Sequence, residues 1–367
     1  MKLRLPLQGR IALGIILTTF TVAVVQGNDE TYAGAALGAA QVDSLLGEMT
    51  RLRMHAGVRP QPQPQQEETE RVYRVVTPQK SGVCETPKPE TKPQKNYPGF
   101  HAWVDVLGGY QKRFAQPNGC GYNLKFWGAA VGADTNFSPY VNAGIELSAR
   151  YGNLKARDGG AVKGDLDTYF LSEYIQYKPS NWGHTLIVTG SWTEATLEGS
   201  TSGYGLGAAY EVSYDIALCS DNSSILQPLA VVSLAHTELG SYSDSGRGED
   251  QLELGRQSQD SAVVGVGVRW LTKGAECLFG CKANTELRLS VARELGDVHT
   301  SATVAPADAP EEGVRVSSSK IGRNMVQLGA GISVPVGDAA QMYVQGNGEL
   351  REHARSWNLT VGLSNKF

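Results

Sequence analysis

Residues Ser261–Trp270, SAVVGVGVRW, carry two messages on alternate positions. Ala262, Val264, Val266, Val268 and Trp270 fall on one face of an extended chain, with Gly265, Gly267 and Arg269 on the other. A soluble sandwich also alternates, so the valines decide nothing alone. The opposite face does. Glycine weakens a strand interior, and a water-facing surface rarely needs so much of it, whereas a curved wall crowded on its inner side can use it. The single arginine sits among those glycines, opposite the aliphatics.

The same grammar recurs outward in both directions. In TELRLSVARE (285–294), Leu287, Leu289 and Val291 oppose Glu286, Arg288 and Ser290. In MVQLGAGISV (325–334), Val326, Leu328, Ala330, Ile332 and Val334 oppose Gln327, Gly329, Gly331 and Ser333. In VNAGIELSAR (141–150), Ile145 and Leu147 oppose Glu146, Ser148 and Arg150. This texture predicts twelve strands near 100–113, 122–134, 139–151, 165–177, 184–196, 203–216, 226–236, 259–270, 285–295, 323–335, 340–350 and 355–367. Aromatics at strand ends (Trp103, Tyr140, Tyr151, Tyr177, Trp270, Trp357) suit interfacial girdles. Tight turns follow the second, fourth and tenth strands (NFSP, KPSNWG, PVGD), and long polar connections follow the third, seventh and ninth. These features predict an all-β fold, a twelve-stranded antiparallel transmembrane barrel over residues 99–367, with both barrel ends on the periplasmic, short-turn side.

The final strand, SWNLTVGLSNKF (356–367), puts Trp357, Leu359, Val361, Leu363 and Phe367 on the lipid face. A barrel must close without an edge, so this strand must pair with the first. Its last ring, Phe367, is expected at the periplasmic rim, where an aromatic belongs.

The N-terminal third is different in kind. Lys2, Arg4 and Arg10 precede the apolar run Ile11–Val25, which predicts a signal peptide over 1–27 rather than a membrane anchor. Removing those three cations takes the net charge from −4 to −7, which argues against nucleic acid as a partner. Residues 28–56 hold a predicted helix, Tyr32–Met54, rich in Ala and Leu, with Arg51 and Arg53 suited to its C-terminal end. A helix about 10 Å across suits the bore of a twelve-stranded barrel, so its expected place is the lumen. Residues 57–98 read as a Pro/Gln-rich linker.

The chemistry-bearing residues are few. Glu146, Arg150, Arg269, Glu286, Arg288, Glu349 and Arg351 are the candidate lumenal charges. They either line a pore or grip a plug, or they form a salt-bridge network that satisfies charge inside the barrel. The six histidines lack metal-ligand spacing and no Gly-x-Ser-x-Gly elbow occurs, so no catalytic, metal or cofactor site is expected. His236, Glu238, Asp244, Glu249, Asp250 and Glu253 are compatible with a carboxylate–histidine site, but scattered loop acids read better as a solvated face. Five cysteines in an exported chain suggest oxidation, with Cys277 and Cys281 the candidate disulfide in a periplasmic turn.

In order along the chain, a small-residue helix, the Trp103-Val104 opening strand, GAAVGAD ending in Asp134, a segment from Pro228 to Glu238, VGVGVRW and the aromatic terminus together resemble the β-domain of autotransporters (type V secretion). The resemblance implies an outer-membrane domain that anchors and helps export a passenger, with Phe367 read by the barrel assembly machinery. The expected partners are that machinery and the lipid bilayer, and the expected state is monomeric. The chain departs from the pattern in a minimal or absent passenger, a long linker and Asn365 in place of an apolar residue. The helix lacks the paired asparagines of self-cleaving members, so autoproteolysis is not expected. An outer-membrane pore, or a surface adhesin acting through the long loops, is the alternative function.

Overall fold

The computed structural model describes residues 40–54 (apart from 42 and 43) and 99–367, apart from 115, 117–120, 157–162, 197–198, 220–222, 244–251, 277–281, 298–300, 307–313, 318–320 and 338. The signal-peptide and linker expectations therefore lie outside the described residues.

Twelve long strands make the wall: β1 (Phe100–Arg113), β2 (Tyr122–Ser138), β3 (Val141–Ala156), β4 (Lys163–Tyr177), β5 (Trp182–Thr196), β6 (Ser200–Tyr214), β7 (Ser224–Leu239), β8 (Gln257–Glu276), β9 (Lys282–Glu294), β10 (Asn324–Val336), β11 (Ala340–Arg351) and β12 (Ala354–Lys366). Each pairs antiparallel with its neighbours in sequence, and β12 pairs with β1 from His101↔Lys366 to Arg113↔Ala354. The sheet is closed. Alternation sets the faces. Val264, Val266, Leu287, Leu289, Val291, Leu328 and Leu359 are exposed on the outside, while Arg269, Glu286, Arg288, Gln327 and Thr360 are buried inside.

Exposed aromatics form two belts around this aliphatic band. Trp127, Tyr151, Tyr169, Trp192 and Trp357 lie toward one rim, and Tyr140, Tyr177, Trp182, Tyr214, Trp270 and Phe367 toward the other. Trp103 does not join them. It is 4% exposed and points into the lumen, because the inward parity of β1 runs Trp103, Asp105, Leu107 against outward Val104 and Val106. Several strands outrun their sequence-based limits, as β2 to Ser138, β3 to Ala156 and β8 to Glu276. Apolar alternation ends at the belts, whereas the hydrogen-bond ladder continues beyond them.

Residues 44–54 form helix α1 inside the barrel, with 40–41 also helical. Its Leu45, Leu46, Met49 and Leu52 cluster with Trp103, Phe170, Tyr174, Ile187, Ala209 and Ala235 of the inner wall. Ala40 lies with Leu107, Leu124 and Leu154 nearer the long-loop rim, so α1 enters from that side. Inner glycines make room for it: a Cβ on Gly207 would stand 2.8 Å from the Met49 sulfur. Beyond the long-loop rim, the connections after β7 and β9 pair with each other. Val314–Ser317, Ser301–Pro306, Leu252–Leu254 and Tyr242–Ser243 build a small four-stranded sheet where the sequence suggested only polar loops.

Gly362 on β12 is the tightest point of the seam. It lies opposite Asp105 of β1 and Tyr343 of β11, and the Tyr343 hydroxyl donates over it to the Asp105 carboxylate. A Cβ there would collide with both groups. Gly362→Ala is therefore expected to destabilise the folded barrel by about 1–3 kcal/mol, the usual range for overpacking. Urea unfolding in lipid would read this directly, and an unchanged midpoint would show that the seam can relax.

Candidate functional site

The lumen holds a chain of buried charges, and α1 supplies its centre. Glu48 and Arg51, three residues apart, lie on one side of the helix. The Arg51 guanidinium donates to Glu48 from Nε and Nη2, both at 3.0 Å, and to Asp105 Oδ2 on β1 from Nη1 at 2.7 Å. Nη2 also donates to Glu146 on β3, which accepts a further bond from Trp103 Nε1 at 3.2 Å. Glu48 in turn accepts from the Ser148 hydroxyl at 2.8 Å and pairs with Arg150. Arg150 reaches back to the Ser44 carbonyl at 3.0 Å and lies over the rings of Phe126 and Phe170. All five charged groups are buried.

Two further groups line the wall. Glu211 on β6 pairs with both Arg269 and Arg288, and Arg269 donates to Gln227 at 3.1 Å and stands 3.2 Å from Glu286 without aligning a hydrogen bond. Arg351 pairs with Glu349 and lies 3.6 Å from Glu294, while Gln327 donates to Glu349 at 2.9 Å. All seven candidate lumenal charges thus face inward, two in contact with α1 and five in these wall groups. Arg53 of α1 stands among Arg288, Arg269, Glu211 and Glu349, yet among the described residues its one hydrogen bond is to Thr50 at 3.0 Å, leaving Nε and Nη1 without one.

Sequence reasoning missed the partners: Glu48, Asp105, Glu211, Glu294 and Tyr343. The signal for Asp105 was present, an acid between Val104 and Val106 on the face opposite them. In the sequence, Arg51 and Arg53 show only as residues favourable to a helix end. Cys277 and Cys281 lie outside the described residues, and Cys219 is an exposed free thiol. His236 bonds Asp260 on the outer wall and Glu238 pairs with Arg256, so neither enters the lumen. Among the described residues no three His, Cys, Asp or Glu groups could hold a metal. Phe367 is 74% exposed, its N–H bonded to the Phe100 carbonyl at 2.8 Å and its ring 6.1 Å from that of Phe100.

Residues 102–347 match the family model described as the autotransporter beta-domain. The chain belongs to that family. Among solved structures it is similar to the translocator domain of autotransporter NalP from Neisseria meningitidis, with a TM-score of 0.61 at 11% identity, covering 93% of this chain and 100% of that one. The β-domain of the Bordetella autotransporter Brka gives 0.54 at 15% identity, over 73% and 100% of the two chains. The transport unit of AIDA-I from Escherichia coli gives 0.50 at 10%, over 77% and 93%. At such identities these likenesses speak for the fold alone. No curated protein sequence matched. The autotransporter β-domain is an outer-membrane barrel and is not in itself catalytic. The rim with the short turns and both barrel ends is then periplasmic, and the rim with the four-stranded sheet extracellular.

The clusters separate two arginines of one helix. Arg51→Met removes the cation that Asp105 and Glu146 both bond, a loss of about 3–5 kcal/mol in α1 docking. Arg53→Met removes a cation with little compensation and should cost less than that. Limited proteolysis of α1 in the folded barrel is expected to accelerate for Arg51→Met and barely change for Arg53→Met. Equal rates would show that the Arg51 cluster does not hold the helix.

Proposed function

We propose that this autotransporter barrel works as a plugged anchor, with α1 as its plug. The carrying observation is the buried cluster in which Arg51 and Glu48 of the helix bind Asp105, Glu146 and Arg150 of the wall. A helix that merely passed through would not need charges matched to the wall around it. Deleting residues 40–54 is expected to raise single-channel conductance in planar bilayers well above that of the intact chain. Equal conductance would rule the plug out and favour an open channel.

The function is taken as non-enzymatic because the family's barrel is not in itself catalytic; of the candidate loop site, Asp244, Glu249 and Asp250 lie outside the described residues. The small extracellular sheet supports a second reading, contact with a surface partner, because paired strands hold a fixed shape where a loose loop would not.

Phe367 is assigned to recognition by the assembly machinery. Its ring is largely exposed, so folding energy is a poor explanation for it: full burial of an aromatic contributes only ~1.5–3 kcal/mol. Deleting Phe367 is expected to lower the amount reaching the outer membrane sharply, while refolded protein in detergent keeps its thermal stability. Normal membrane levels would reduce the ring to an ordinary belt residue.

A further inference from the structure

The outer face of β4 carries one residue that a lipid-facing wall does not explain. From belt to belt its outward positions are Tyr169, Leu171, Glu173, Ile175 and Tyr177. Glu173 is exposed there, opposite Ile145 of β3 and Val188 of β5, with no hydrogen bond or ion pair among the described residues. Eight residues separate the two tyrosines, about 26 Å of strand, or about 20 Å of depth at a tilt near 40°. Glu173 is halfway, about 10 Å from either belt, beyond the reach of its own side chain. The other ionisable groups on the described outer face lie at the belts or beyond them, among them Lys125, His236, Asp260 and Arg293 toward the extracellular rim and His184, bonded to Tyr210 at 2.7 Å, toward the periplasmic one.

An ionisable side chain at mid-membrane is expensive and is kept where something uses it. We propose that two copies of this chain associate in the membrane through the outer face of β3–β5, with the two Glu173 carboxyls bonded to each other. A carboxylic acid presents one donor and one acceptor and is its own complement. Two copies inserted the same way are related by a two-fold axis along the membrane normal. That symmetry brings each residue opposite itself at equal depth, so the match requires nothing further. A different protein would need its own donor at that height, and the described outer face of this chain offers no cation there. Ala143 and Gly190, diagonal to Glu173 on the flanking strands, keep the relief beside it low, which allows close approach. All wall strands are already paired, so association proceeds through the face and leaves closure intact. The monomer expected from the sequence is then the dilute form.

Dye-labelled full-length protein in liposomes, counted by single-molecule photobleaching over a range of protein-to-lipid ratios, tests this. Wild type should dimerise as the ratio rises. Glu173→Leu should weaken association by about tenfold, the scale of one or two hydrogen bonds in lipid. Glu173→Gln, whose amide also donates and accepts, should retain most of it. Ile145→Trp keeps the carboxyl but obstructs its approach, and should weaken association even if Glu173→Leu inserts poorly. Wild type that stays monomeric throughout, or Glu173→Leu that dimerises as well as wild type, overturns the proposal. Cross-linking of Glu173-face variants only to another protein in whole membranes would also overturn it.

Discussion

No backbone N–H or C=O can be left to water inside a bilayer, and each unpaired group costs several kcal/mol. Helices meet this constraint within one segment. A sheet meets it only by returning to its first strand, so the ladder between β12 and β1 is the contact on which the other elements depend. It joins residues some 250 positions apart, which makes it the last pairing available to the chain. Every other neighbour along the wall is also a neighbour in sequence.

Closure at twelve strands fixes what comes next. The inward faces cannot be apolar throughout, because half of each strand looks away from lipid, and they cannot be left empty, because a bore of this size admits water. The chain answers with α1 and with charges of both signs. Such clusters are weak evidence for stability, since removing ions from water offsets most of their attraction. Their effect is on position. Arg51 finds carboxylates from β1, β3 and its own helix at one depth only, so sliding α1 by a turn would strand buried charge on both sides.

Much of this was legible. Alternation fixed the strands because a residue facing lipid and a residue facing the lumen differ in chemistry at every step, as Leu287, Arg288 and Leu289 do on β9. Two kinds of feature were not. Trp103 reads as a belt residue from its place near a strand end, and only its parity with Asp105 puts it inside. The pairing of Leu252–Leu254 with Ser301–Pro306 joins two polar connections in which neither face is distinguished, so periodicity carries no signal there. Arg51 was harder still. Near a helix end it satisfies the macrodipole, and nothing local marks it as the partner of an aspartate 54 residues on.

Asp105 ties the two halves of the molecule together. One carboxylate oxygen accepts from Arg51 of α1, and the other accepts from Tyr343 of β11, whose hydroxyl crosses β12 above Gly362. The seam between the first and last strands is therefore spanned by a side-chain bond whose acceptor is also the anchor of the helix. Arg51 holds Asp105 in the conformation that Tyr343 needs, and Tyr343 does the same for Arg51. Groups that share one acceptor are energetically coupled. Helix docking and barrel closure thus stabilise each other. A barrel whose seam has not yet formed holds α1 less firmly, and a lumen without α1 deprives the aspartate at the seam of its bond from Arg51.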